Sequence, residues 1–177
     1  MRQWTPYIFG LLLLTTSCGQ NKNSPTTQTD KWYEETKQII IANADSHPDS
    51  LVKAIWGKQS YQIISYKGGQ QTKQKYYGGE DSVLCGETLF GKDTAFQLMR
   101  EIYANGQYAY EGISYNGHFF GLSTWWNDNG QIRKQGIRFN DKKIGTWKEW
   151  GEDGKLVEEI DYKNLDKLDS LPTIHGQ

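Results

Sequence analysis

Between Gln97 and Asn164 the chain says the same thing three times. Set in register at a period of 24 residues, Asn105-Gly106-Gln107 falls on Asn129-Gly130-Gln131 and then on Asp153-Gly154-Lys155. Ile102 falls on Trp126 and Trp150, Tyr108 on Ile132 and Leu156, Gly112-Ile113 on Gly136-Ile137, and Gly121 on Gly145. A repeat of this length is one supersecondary unit stacked on copies of itself. Asn-Gly or Asp-Gly between apolar, aromatic and β-branched runs signals a β-hairpin, through a type I′ turn with two residues at positive φ. Each unit is therefore expected to be a hairpin. Its first arm ends at Ile102, Trp126 or Trp150, and its second runs on to Tyr115, Phe139 or Tyr162, with Asn116-Gly117 or Asn140-Asp141 turning into the next unit.

In the last unit Leu156, Glu158, Ile160 and Tyr162 alternate strictly, which places the apolar members on one face. The first two units carry one residue more, and their apolar sets change parity beside Gly112 and Gly136. Bulges are expected at those two glycines and none in the last unit, which reads as a polar end cap.

Upstream, Tyr61 to Tyr66, Gln71 to Tyr77 and Val83 to Phe90 read as further hairpin arms, separated by Gly68-Gly69 and Gly78-Gly79. They look like worn copies of the repeat. Before them, Asp30 is placed to N-cap a helix from Lys31 to about Ala44, with Glu34 and Glu35 in its first turn. Trp32, Thr36, Ile39 and Asn43 lie along one side of this helix, and Tyr33, Ile40 and Ala44 along the adjacent one. The expectation is that it packs on the first strands and covers the open edge of the sheet. Leu51 to Trp56 is either a second helical turn or the entry into a strand.

The N-terminus differs in kind. Arg2, the apolar run Tyr7 to Leu14 and the small residues Thr15-Thr16-Ser17 make a secretory signal too short to span a bilayer. The cysteine that follows, Cys18, resembles the lipidation cysteine of bacterial lipoproteins, although Leu14 stands one position earlier than the usual processing box places it. The alternative is an ordinary cleaved signal with Cys18 incidental. Diacylation would supply the two-chain anchoring that makes membrane residence stable. Residues 19–29 are polar and aperiodic, a tether reaching about 35 to 40 Å when extended. The chain thus divides into a signal over residues 1–17, a lipidated cysteine and tether over 18–29, a helical cap over 30–59, the hairpin repeats over 60–164 and a tail over 165–177. Once Cys18 is acylated, Cys85 has no partner for a disulfide, and it is expected to be buried and inert.

The 177 residues carry 20 basic and 21 acidic side chains, a balance that gives no reason to expect nucleic acid as a partner. His47, His118 and His175 stand far apart, with no Cys or carboxylate at ligand spacing, so no metal site is expected. Glu149, Glu152, Asp153, Glu158, Glu159 and Asp161 suit a solvated repeat surface better than an acid/base pair. No nucleophile motif, phosphate loop or dinucleotide fingerprint occurs, so neither an enzyme nor a cofactor is expected.

The segment from Gly121 to Asn164 resembles the MORN-repeat variant family, whose units read roughly as glycine, an aromatic-rich strand, Asn-Gly, a strand, then Tyr-x-Asn-Gly. Gly145-Thr146-Trp147-Lys148-Glu149-Trp150 with Asp153-Gly154-Lys155-Leu156 is the nearest unit. Asp141 and Leu165 depart from the pattern at the second turn. The resemblance implies an elongated, mainly β meander of antiparallel hairpins with one N-terminal helix, and it brings no catalytic residues. Many bacterial members are labelled as antitoxins of the YwqK type, which implies a protein partner.

Trp125 occupies the repeat position that holds Glu101 and Glu149 in the neighbouring units, on the face opposite the column Ile102, Trp126, Trp150. It is expected at the surface beside Trp147, and exposed tryptophan marks an interaction hot spot. Trp125, Trp147, Glu101 and Glu149 are therefore the candidate partner-binding residues, whereas Trp126 and Trp150 are the candidate core. The expected function is a lipid-anchored, non-enzymatic protein of the cell envelope, on the outer membrane, that holds another protein on its sheet in an antitoxin or immunity-type role. The alternatives are a glycan or cell-wall binding module and a purely structural envelope lipoprotein.

Overall fold

The computed structural model describes residues 25–174; Cys18 and the signal lie outside the described residues. A helix, α1 (Pro25–Ala44), is followed by ten strands: β1 (Ser50–Trp56), β2 (Ser60–Lys67), β3 (Gln70–Gly78), β4 (Val83–Phe90), β5 (Phe96–Ile102), β6 (Tyr108–Tyr115), β7 (His118–Trp126), β8 (Ile132–Phe139), β9 (Lys142–Trp150) and β10 (Leu156–Asp161). A 3-10 helix, Leu165–Ser170, follows β10. The strands form one sheet in the order of the sequence, each antiparallel to the next. The mainly β hairpin meander with a single N-terminal helix is thus the architecture the repeat implies.

The two kinds of turn alternate. In the three repeat units Gly106, Gly130 and Gly154 donate N–H to the carbonyls of Tyr103, Asn127 and Gly151 at 2.8, 2.9 and 2.9 Å. Only the glycine of each pair stands at positive φ, so these are type I turns with a left-handed glycine rather than the expected type I′. The Asn or Asp before it acts through its side chain: Oδ1 of Asn105, Asn129 and Asp153 accepts the backbone N–H of Gln107, Gln131 and Lys155 at 3.0, 2.9 and 3.0 Å. The type I′ geometry belongs to the second turns, where Asn116 and Gly117 have φ of 50° and 82°, and Asn140 and Asp141 50° and 67°.

After each type I turn the second arm carries one extra residue, because register slips between Tyr108 and Tyr110, Ile132 and Lys134, and Leu156 and Glu158. The bulge residues are Ala109, Arg133 and Val157, so the last unit has its bulge after all. Val157 breaks its alternation and puts Leu156 on the face opposite Ile160. Gly112 keeps partners on both sides, whereas Gly136 pairs with Ser123 but falls unpaired within the slip toward β9. The larger slips beside them insert residues on the strand across, at Gly121 and Gly145, whose φ values are 72° and 59°. A further bulge falls at Cys85, between Tyr76↔Gly86 and Tyr77↔Leu84, and turns that thiol out to solvent rather than into the core.

The helix begins at Pro25, not Lys31, and takes up residues expected in the tether; proline is tolerated in the first turn, where its missing N–H would have no partner. Asp30 therefore lies inside α1 rather than at its cap, and Glu34 and Glu35 lie beyond its first turn. Thr29, Tyr33, Thr36, Ile40 and Ala44 form its buried stripe, set on Leu89, Phe96, Leu98 and Ile113. Contacts run to β3, β4, β5 and β7, across the middle of one sheet face and not over an edge. Leu51 to Trp56 forms the edge strand β1, and Leu51 stays 64 % exposed.

Beneath the helix lies a buried ionic cluster. Glu111, 5 % exposed, accepts from Tyr33 Oη at 2.8 Å, Lys37 Nζ at 2.6 Å and Arg100 Nε at 2.8 Å. Arg100 Nη1 donates in turn to Glu87 at 2.9 Å. Three donors on one carboxylate, two of them cationic, fix the rotation of α1 against β4, β5 and β6. A second, smaller core forms where Leu168 of the 3-10 helix covers Ile137 and Ile144 on the same face.

Candidate functional site

Strand register sorts the side chains into two faces. Glu111, Thr124, Gln135 and Lys148 lie under or beside α1, whereas Tyr110, Trp125, Lys134 and Glu149 form a row on the other face. No described element packs on this second face, where Tyr110, Phe119, Trp125 and Trp147 come together. Trp125 sits between Tyr110, with ring centroids 4.8 Å apart, and Trp147, at 5.9 Å. Phe119 meets Tyr110 edge-on at 5.9 Å. The guanidinium of Arg138 lies 5.5 Å from the Trp125 ring centre, 5.6 Å from Trp147 and 5.6 Å from Phe119. Lys143 Nζ adds a cation 4.7 Å from the Trp147 ring. Such contacts are each worth about 0.5 to 2 kcal/mol, rising as water is excluded.

Two glycines make this layer possible. A Cβ at Gly112 would fall on the Tyr110 phenol, and one at Gly136 on the Trp147 indole. Each ring thus lies over a glycine, where any side chain would lift it off the sheet. Their recurrence at the repeat interval reflects the aromatic each cradles together with the register slip beside it. Gly136→Ala is expected to destabilise the fold by about 1 to 3 kcal/mol, as overpacking does. Chemical denaturation should also show loss of the tryptophan fluorescence signature of the native cluster.

The four residues singled out by sequence share this face but not one environment. Trp125 is half-buried by Tyr110, Arg138 and Trp147, and α1 lies on the other side of the sheet. Trp147 is 3 % exposed, with Nε1 donating to the Ile137 carbonyl at 3.0 Å, so it supports the layer rather than presenting a surface. Glu101 is exposed beside Tyr110, and Glu149 is ion-paired with Lys134 on the row next to Trp125. The expected core column is the reverse case. Ile102, Trp126 and Trp150 are only half-buried, because they stand at strand ends beyond the reach of α1.

Tyr110, Phe119 and Arg138 are members the sequence did not single out. The signal available for Tyr110 was a large ring two residues before a repeat glycine; Arg138 stood only in a count of basic residues. Burial pushes the Tyr110 phenol up to about 12, leaving it a neutral hydrogen-bonding group. At the rim His118 Nδ1 lies 2.6 Å from Asp141 Oδ2, while Asp141 Oδ1 accepts the Phe119 N–H at 2.7 Å. The Phe119 amide, followed by His118, holds the Asp141 carboxyl below its usual range.

The layer borders an apolar groove of about 280 Å³ between Tyr76, Thr88, Met99, Glu101, Tyr110 and Phe119. A larger cavity, about 600 Å³, opens on the helix face between Asp30, Glu34, Lys148, Trp150 and Glu159. Burial, and then Glu34, raises the Asp30 carboxyl there. Among the described residues no group of three or more His, Cys, Asp or Glu is placed to hold a metal ion. No described helix is long and apolar enough to cross a membrane.

A hairpin-repeat sheet with one face covered and an aromatic, cationic layer on the other is the build of a repeat-based binding module. Residues 143–164, which form β9, its turn and β10, match the MORN repeat variant family. No curated relative matches the sequence. Among solved structures, the chain is similar to a mutant of S. aureus TarM in complex with fondaparinux, alpha-GlcNAc-glycerol and UDP, at 7% identity and a TM-score of 0.37, over 81% of this chain and 25% of that one. A second TarM structure is similar at 10% identity and a TM-score of 0.36, over 76% of this chain and 26% of that one. The chain thus spans about a quarter of the TarM chains, and at these scores the likeness bears on neither fold nor activity.

Proposed function

We propose that this chain is a non-enzymatic binding module that receives a protein partner on the sheet face opposite α1, held at the cell envelope through a lipidated Cys18. The observation that carries the reading is the layer of Tyr110, Phe119, Trp125 and Arg138, bordered by the apolar groove and by the exposed carboxylate of Glu101. Half-buried tryptophan and arginine on a firm sheet, with an apolar hollow beside them, match the composition of interface hot spots. Because Trp125 and Arg138 are already stacked, a partner would lose little side-chain freedom on docking. An antitoxin or immunity-type role follows if the partner is a toxin that acts in the envelope or arrives from outside. Anchoring of Cys18 in the outer membrane would place the domain where such a partner is met.

Photocrosslinking tests this reading. A crosslinker at Glu101 should trap one envelope protein in stoichiometric yield, and one at Lys148, on the helix face, should not. Glu101→Lys and Trp125→Ala should each weaken capture, with the melting temperature of Glu101→Lys unchanged. Retention of polysaccharide in place of protein would transfer the face to a glycan, and equal trapping from both faces would overturn the assignment. Metabolic labelling with a palmitate analogue, lost in Cys18→Ala, tests the anchor separately.

A further inference from the structure

The large apolar side chains left in solvent are not scattered. Among the described residues they are Leu51, Val52, Ile55 and Trp56 on β1 and Leu156, Val157 and Ile160 on β10, with Tyr108 the one exception elsewhere. Ile55 is 71 % exposed and Val157 72 %. These are the two edge strands of the sheet, each with a row of outward backbone N–H and C=O groups. An apolar edge with unpaired backbone is a template for another strand, and this chain has two.

The edges are complementary. β1 carries a single charged residue, Lys53, and β10 carries Glu158, Glu159 and Asp161. Pairing β10 with β10 would oppose three carboxylates to three, which cross-strand like charges disfavour. Strand direction agrees: ten strands of a strictly antiparallel meander leave β10 running against β1, so β1 of an identically oriented copy continues the alternation as an eleventh strand.

Register agrees as well. Starting from Lys53, the paired residues run Ile63, Lys75, Glu87, Arg100 and Glu111 across the first half of the sheet. They continue through Thr124, Gln135 and Lys148 and end on Glu159. Lys53 and Glu159 are therefore the two ends of one cross-strand row. A second copy that extends the sheet sets its Lys53 beside Glu159, which already contacts Lys148 at 3.4 Å, and the charges then alternate. The same step sets Val52 beside Ile160 on the opposite face.

We propose that β10 of one copy pairs with β1 of the next, so that the chain assembles head to tail into a continuous sheet. Such a contact is heterologous. It does not close after two copies, and the twist of the sheet makes the product an open, helical array. Area buried along both edges is what the exposed apolar residues supply, and the Lys53–Glu159 pair sets the register.

Charge reversal in the full chain tests this, in detergent solution by sedimentation velocity over a concentration series. Wild-type chain should grow in mass with concentration. Lys53→Glu and Glu159→Lys, both on exposed edge strands, should stay folded, giving up only the stacking of Lys53 on Tyr61 at 3.9 Å and the Lys148–Glu159 pair, and each weaken association roughly tenfold. Mixed in equal amounts, the two variants should recover wild-type assembly. One kind of contact in the mixture then joins the two reversed positions, again a carboxylate against an ammonium, and the reciprocal contact is the native pair of Lys53 and Glu159. A wild type that stays monomeric throughout would overturn the proposal. So would a closed dimer that both reversals leave intact, or a mixture no larger than either variant alone, as β1-to-β1 pairing would give.

Discussion

Glu111→Ala is expected to lower the unfolding free energy by about 3 to 5 kcal/mol, because it removes one partner of a buried ionic cluster and leaves the others in place. Arg100 would keep Glu87, but Lys37 and Tyr33 would face an emptied site beneath α1. Glu111→Gln keeps the volume and one acceptor oxygen and isolates the charge, so its loss should be smaller. The two variants carry a distinct acid response. Burial alone would raise the Glu111 carboxyl; the hydrogen bond and charge of Lys37, with Arg100 and Tyr33, outweigh it and the net shift is downward. A carboxylate held lower in the folded state adds stability that is complete above the ordinary glutamate range and is lost as the pH falls through the lowered value. Wild type and Glu111→Gln should therefore differ most near neutrality and converge in acid. Urea melts across that range measure both the size and the slope, and parallel curves at every pH would deny Glu111 its ionised role.

Trp147→Ala should cost about 3 to 5 kcal/mol, the usual penalty for deleting a buried tryptophan. The ring fills the layer over Gly136, donates to the Ile137 carbonyl and supports Trp125 on one side and the cations of Arg138 and Lys143 on the other. Its removal strips all of these contacts at once. By contrast Trp126→Ala and Trp150→Ala delete half-buried rings and should cost about 1 to 2 kcal/mol. Guanidinium denaturation of the three variants decides the matter. Equal losses would mean that the aromatic layer is no more than an extension of the strand-end column.

That contrast also shows where the sequence was readable and where it was not. The turn chemistry of Asn105-Gly106 and its two copies marked every hairpin of the repeat, since Gly and Asx residues act locally. Which tryptophan is buried depends on what lies against it: Trp126 and Trp150 end their strands beyond α1, whereas Trp147 settles over Gly136. Ala109, Arg133, Val157 and Cys85 carry no residue signature that announces an extra position, so side chains counted forward from the turn land on the wrong face. Gly112 and Gly136 were visible as glycines, but their reason lies in rings brought over them, and only pairing geometry supplies that. Trp125 and Glu101 could be set on a common face from the repeat register alone, whereas Arg138 required knowing that β7, β8 and β9 stack their long side chains over the same hollow.

The order of the elements bears on how the chain comes together. Every strand pairs only with its neighbours in sequence, so hairpins can form and accrete one after another as they are made. The helix is the exception. Tyr33 and Lys37 reach Glu111 across 78 and 74 positions, and Trp32 donates to the Pro172 carbonyl across 140. The helix, made before the strands it covers, is thus the last of these elements to settle, and until β6 exists Tyr33 and Lys37 lack the carboxylate they bind. Until then the nascent chain carries α1 undocked ahead of its sheet, the state in which a chaperone would meet it.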